Sequence, residues 1–193
     1  MRAVCVYCGS NDGTNPGYRA AARALGAEIA NRGLRLVYGG ARNGLMGAVA
    51  DGALAAGGQV TGIIPHALVA WEQAHPDLSE QLVVDSMRAR KQAMADRADG
   101  FIALPGGIGT LEEIFEMISW AQLGVHHKPC AFLDVEGYWD PLIRFLDYSV
   151  EVGLTRSGTR KMLLTDSDHK RLLTRMDNYR SPVTHRWLDA AQT

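Results

Sequence analysis

Apolar residues along the chain alternate between two spacings. Residues 3–7 form an unbroken apolar run, and Tyr18, Ala21, Ala22, Leu25 and Ile29 follow at the three-to-four spacing of a helix. A second apolar run at 34–38 leads to a small-residue helix at 45–56 closed by Gly57-Gly58, and a third run at 59–64 is stopped by Pro65. Residues 66–80 carry no clean period. Beyond them the pattern predicts a short strand at 82–84, a charged helix at 87–98, a strand at 101–104 and a strongly amphipathic helix at 110–123. Residues 131–133 and 138–152 repeat the unit. Strands alternating with helices imply right-handed crossovers and a parallel sheet covered on both faces, the α/β, doubly wound, Rossmann-like architecture of a single domain. The domain is expected over residues 1–180. Residues 181–193 read as a peripheral tail that Trp187 and Leu188 could dock.

Composition narrows the class. The 193 residues carry 20 Lys+Arg against 21 Asp+Glu, a formal charge of −1, which excludes a polycation built to grip a nucleic-acid backbone. The run at 3–7 is too short for a signal peptide or a membrane span, and three cysteines are an odd number, so a reducing cytoplasm and no membrane partner are expected. Cys5 and Cys8 spell CxxC, but positions three apart on a strand point to opposite faces, which argues against joint metal or redox work. His126-His127 reads as a solvated turn, because adjacent side chains diverge.

In an open parallel sheet ligands bind outside the carboxyl ends of the strands. Three of the loops there are glycine-rich: Cys8-Gly9-Ser10-Asn11-Asp12-Gly13, Gly39-Gly40-Ala41-Arg42-Asn43-Gly44 and Pro105-Gly106-Gly107-Ile108-Gly109-Thr110. Where such a loop enters a helix, unpaired amides and the helix dipole both favour a phosphate. Several loops converging suggest a nucleotide. The chemistry that is missing is equally informative. No GxGxxG follows the first strand, and Gly39-Gly40 stand where an NAD enzyme places its ribose-binding acid. GxxxxGK[ST], HExxH and GxSxG are also absent, so ATP hydrolysis, zinc proteolysis and serine hydrolysis are disfavoured.

The richest segment runs from Pro105 to Glu113, with Arg90-Lys91 upstream on the charged helix. Two readings of it stand side by side. Thr110-x-x-Glu113 fits a capping box, and Arg88, Arg90, Lys91 and Arg97 fit an ordinary solvated helix face. Leu111, Ile114, Phe115 and Ile118 form an apolar stripe facing the core, opposite Glu113, Glu116 and Trp120. Met87 and Met94 lie one helix face apart, as core or as the wall of a base pocket. The other reading is functional. PGGxGTxxE with an upstream Arg-Lys pair resembles the LOG family of cytokinin riboside 5′-monophosphate phosphoribohydrolases, formerly labelled "lysine decarboxylase". Tyr38-Gly39-Gly40, Gly44-Leu45-Met46-Gly47, Gly62-Ile63-Ile64-Pro65 and Trp120-Ala121-Gln122-Leu123-Gly124 fall in the family's order.

The resemblance implies hydrolysis of the N-glycosidic bond of AMP or an N6-substituted AMP, giving free base and ribose 5-phosphate without metal or cofactor. It makes Arg90 and Glu113 the catalytic pair and puts Glu72, Lys91 and Ser119 in contact with substrate. Gly106, Gly107, Ile108, Gly109 and Thr110, helped by Gly40 and Gly44, would hold the phosphate. It also implies a homodimer. A non-catalytic carrier of a nucleotide or of molybdenum cofactor is the alternative on a related fold, and it lacks a need for a carboxylate at the anomeric carbon. A decarboxylase working through a lysine Schiff base ranks lowest, since Lys91, Lys128, Lys161 and Lys170 show no suitable setting.

Overall fold

The protein is described from a computed structural model covering residues 1–69 and 73–183. Seven strands form one parallel sheet: β1 (Ala3–Tyr7), β2 (Arg35–Tyr38), β3 (Val60–Pro65), β4 (Glu80–Val84), β5 (Phe101–Ala103), β6 (Cys130–Leu133) and β7 (Leu163–Asp166), in the spatial order β4-β3-β2-β1-β5-β6-β7. The helices are α1 (Pro16–Asn31), α2 (Gly44–Ala55), α3 (Met87–Arg97), α4 (Ile108–Gln122), α5 (Asp140–Glu151), α6 (Ser157–Met162) and α7 (His169–Asp177). Strands buried on both faces need continuous apolar runs, which is why β1, β3, β5 and β6 are buried from end to end.

The pleat of each strand divides the core. Val4 and Val6 point to the side covered by α1, α2 and α7, and Ala3, Cys5 and Tyr7 point to the side of α3, α4 and α5. Cys8 belongs to the first side and Cys5 to the second, so the two thiols lie on opposite faces of the sheet. Helices α1 and α2 approach so closely that a Cβ on Gly26 would run into the Val49 carbonyl.

Elements read from periodicity fall within a few residues of those observed, with α4 starting at Ile108 instead of 110. The pattern gives no element after residue 152, whereas the structure adds α6, β7 and α7. Strand β7 has only four residues and ends in Thr165-Asp166, and α7 buries only Leu172, Leu173 and Met176, so neither carries a long periodic signal. Residues 66–80, without a period in sequence, contain a 3₁₀ turn at His66–Leu68 and a bridge from Ala74 to Ala41. His126 corrects the solvated-turn reading. It is half-buried with its ring 5.4 Å from Phe101, and burial lowers its pKa to about 4, keeping it neutral. Trp187 and Leu188 lie outside the described residues.

Candidate active site

The strand order reverses between β1 and β5. The chain moves outward from β1 through β2, β3 and β4, then returns to place β5 on the other flank of β1. Loops leaving adjacent strands in opposite directions open a crevice at that point. A cleft of about 450 Å³ occupies it, lined by residues 8–13 after β1 and 105–110 after β5, with Arg90, Glu113, Tyr18, Leu45, Met46, Met87 and Tyr138 completing the walls. The two loops are tied by a hydrogen bond from the Gly9 N–H to the Pro105 carbonyl at 3.1 Å.

The floor of this cleft is the N-terminus of α4. Gly107 is its N-cap, no side chain caps it, and no acidic residue sits in its first turn. The first helical hydrogen bond runs from Leu111 N to Gly107 O at 3.1 Å, and among the described residues no acceptor meets the amides of Gly106, Gly107, Ile108, Gly109 and Thr110. Such orphan donors at the positive end of a helix dipole form an anion site. Because the helix begins at Ile108, Thr110 is its third residue and Glu113 its sixth, which removes the capping-box reading. Thr110 is buried instead beneath Gly106, where a Cβ would collide with its Oγ1.

Arg90 and Glu113 reach the cleft from different helices. Arg90 lies on α3 at a face position shared with Met94 and Ala98, and it is buried to 4 % exposure, so the solvated-face reading fails for it. Its Nη2 donates to the Gly39 carbonyl at 3.2 Å, and Gly39 has no side chain because a Cβ there would strike that guanidinium. Glu113 is half-buried on the first turns of α4. Both charges act at the end of β1. Burial chiefly raises the pKa of the Cys5 and Cys8 thiols, Glu113 raises it further, and Arg90 works in the opposite sense.

The other sequence candidates are placed as follows. Lys91 does not line the cleft, and its ammonium bonds Glu112 and, at 3.1 Å, Glu116 of α4. Burial opposes its charge, yet these two carboxylates carry its pKa above the ordinary lysine value. Ser119 is exposed and outside the cleft lining, and Glu72 lies outside the described residues. Gly40 packs against β3, and Gly44 sits behind the first loop. Gly40 accepts from His75 N at 2.9 Å, while Gly44, at φ 59°, packs against the Ser10 backbone and opens a helix whose Leu45 and Met46 amides both donate to Gly9 O. The second glycine loop thus props the first. Met87 stands at the cleft and Met94 in the core. Trp120 packs partly buried against the core, and Glu116 is held by Lys91.

The loop at 8–13, read from sequence as one of three glycine-rich loops, lines the cleft, whereas Tyr18 and Tyr138 were not among the sequence candidates. A signal was available for the loop and for Tyr138. Residues 9–13 form a glycine loop after a strand, and Tyr138 follows β6 at the same edge of the sheet. No group of three or more His, Cys, Asp or Glu among the described residues could hold a metal ion, and no described helix is long and apolar enough to cross a membrane.

Fold and site together define a parallel α/β protein with an uncapped helix N-terminus at its switch point and a buried Arg and a Glu beside it. A family model described as "Possible lysine decarboxylase" matches residues 46–176, and the chain belongs to this family. It is 43% identical over 179 residues to the cytokinin riboside 5′-monophosphate phosphoribohydrolase LOG of Oryza sativa subsp. japonica, covering 93% of this chain and 74% of that one. It is 42% identical to LOG7 of Arabidopsis thaliana, which bears the same enzyme name, covering 93% and 82% of the two chains. Among solved structures the X-ray structure of TM1055 matches with TM-score 0.71 and 24% identity over 93% of this chain and all of that one. The molybdenum cofactor binding protein of Rippkaea orientalis matches with TM-score 0.69 and 20% identity over 92% and 96%; at these identities both share the fold. None of the four lysines lines the cleft, which leaves the decarboxylase label without a Schiff-base residue there.

Proposed function

We propose that the protein hydrolyses the N-glycosidic bond of AMP or an N6-substituted AMP, such as a cytokinin riboside 5′-monophosphate, to free base and ribose 5-phosphate. The observation that carries this reading is the convergence of Arg90 and Glu113 on the cleft whose floor is five amides that meet no acceptor among the described residues. The 5′ phosphate sits on residues 106–110, which leaves the ribose between that floor and the side chain of Glu113. Departure of the base breaks the C1′–N9 bond and develops positive charge on the ribosyl ring, which a fixed carboxylate stabilises. Water then forms the new C1′–O bond, and its proton leaves for the base. Arg90 presents a planar cationic fork of donors suited to ligand oxygens and to a neighbouring carboxylate. Met87, Leu45 and Met46 offer the base an apolar wall. Glu72, Lys91 and Ser119 enter this scheme only as residues carried over from the family.

The test is incubation with AMP, IMP and N6-isopentenyl-AMP, followed by quantification of base and ribose 5-phosphate. Equimolar release of both supports the hydrolase. Nucleotide binding without release of base from any of them would make the protein a carrier.

We further propose a cytoplasmic homodimer. The three buried thiols are all free, as a reducing compartment keeps them, and Phe145, Tyr148, Val152 and Leu154 leave an exposed apolar strip along α5 and the turn beyond it. A second copy covers such a strip. Light scattering that gives the mass of one chain would contradict the pairing.

A further inference from the structure

The loop between β6 and α5 brings one side chain back across the sheet edge to the loop after β5. Its turn holds two successive residues in the left-handed region, Glu136 at φ 55° and Gly137 at φ 72°. A glutamate there is strained, and such a residue persists only where its surroundings hold it. Here Asp134 Oδ1 accepts from Trp139 N at 2.7 Å, and the Trp139 ring is buried edge-on against Phe132 at 5.2 Å. Tyr138 is thereby fixed between Trp139 and Tyr18, with ring centroids 4.8 and 5.6 Å away and near-perpendicular planes. Its hydroxyl donates to the Gly106 carbonyl at 2.5 Å.

We propose that Tyr138 is a positioning residue for the phosphate floor, an inference that rests on the function proposed above. In a planar trans peptide the carbonyl and the next N–H point in opposite directions. Fixing the Gly106 carbonyl therefore fixes the Gly107 N–H, one of the cleft amides that has no acceptor among the described residues. The other side of Gly106 is closed by Thr110, so Tyr138 supplies the contact that stops this peptide from rotating. An exposed phenol could bond water equally well. The strained turn commits it to the loop instead.

Tyr138→Phe keeps the ring packing and removes the donor. Calorimetric titration with ribose 5-phosphate, the KM for AMP and the inhibition constant of adenosine read out the effect. The expected result is a roughly fivefold loss of ribose 5-phosphate affinity and a matching rise in KM. With it, kcat, adenosine inhibition and the melting temperature stay near wild type, because an interaction made equally in ground and transition states moves KM alone. Unchanged ribose 5-phosphate affinity in the variant, while the wild type holds AMP more tightly than adenosine, overturns the role of Tyr138 alone. A wild type that binds adenosine as tightly as AMP overturns the phosphate subsite and the role together.

Discussion

Two strand ends at the same edge of one sheet make opposite use of their polar groups. At the end of β7, Asp166 is 3 % exposed in its side chain and bonds Arg171 Nε at 2.8 Å, Arg171 Nη2 at 2.5 Å, Arg175 at 3.0 Å and the Asp168 amide at 3.0 Å. At the end of β5, five successive amides meet no acceptor among the described residues. The first set closes on itself and ties β7 to α7. The second is left open at the point where the strand order reverses, with a buried Arg and a half-buried Glu beside it. Position at the carboxyl edge is thus shared by both; what separates a binding site from a structural clasp is whether the donors already have partners.

The largest effect should come from Glu113→Gln, which removes the charge and keeps the shape. Turnover should fall on the order of a hundredfold or more, about 3 kcal/mol of barrier, with ribose 5-phosphate affinity retained in titration. Asp166→Asn, made in parallel, should leave turnover unchanged; a comparable loss there would erase the distinction between the two strand ends. Next in size is Gly106→Ala, whose added methyl meets Thr110 Oγ1 and displaces the floor. It should lower kcat/KM on the order of tenfold or more, whereas the same change at Gly107, where a Cβ meets nothing within 4 Å, should leave the melting temperature near wild type.

Smaller effects concern stability. Asp166→Asn should cost about 1–2 kcal/mol in urea unfolding at neutral pH, a modest value because both arginine partners reach solvent. The same clasp sets an acid limit. Its hydrogen bonds, chiefly from Arg171, hold the Asp166 pKa at about 2, below the ordinary aspartate value, so the folded state binds fewer protons than the unfolded chain in between. Its contribution is full above the unfolded pKa of about 3.9 and disappears as pH falls through about 2. The slope of stability against pH between 4 and 2 should therefore be shallower in Asp166→Asn than in wild type, by roughly 1 kcal/mol over the interval. Parallel slopes would remove Asp166 from the account.

Most of the framework was legible in the sequence, and the reasons are local. Apolar runs doubly buried in a parallel sheet, and helices as long as α1 and α4, carry periods that few alternatives share. The short α6, β7 and α7 do not, and α7 is held by Leu172, Leu173 and Met176 packing into the core. The floor at 106–110 and the pair Arg90 and Glu113 were read from motif. Which glycine loop serves the cleft was not, because three loops of similar composition differ only in long-range contacts: Gly44 has no side chain because Ser10 occupies that space. The burial of Arg90 likewise depends on Gly39, 51 residues away, although its place on the face of Met94 and Ala98 was a sign. Tyr138 was missed because the rule that ligands gather at strand carboxyl ends was applied to glycine loops alone.

The most direct measurement is a crystal structure of Glu113→Gln with AMP bound. The phosphate should lie on the amides of residues 106–110, and the residue 113 side chain should face C1′ at about 3–4 Å. A phosphate held elsewhere, or a residue 113 turned from the ribose, would contradict the central claim.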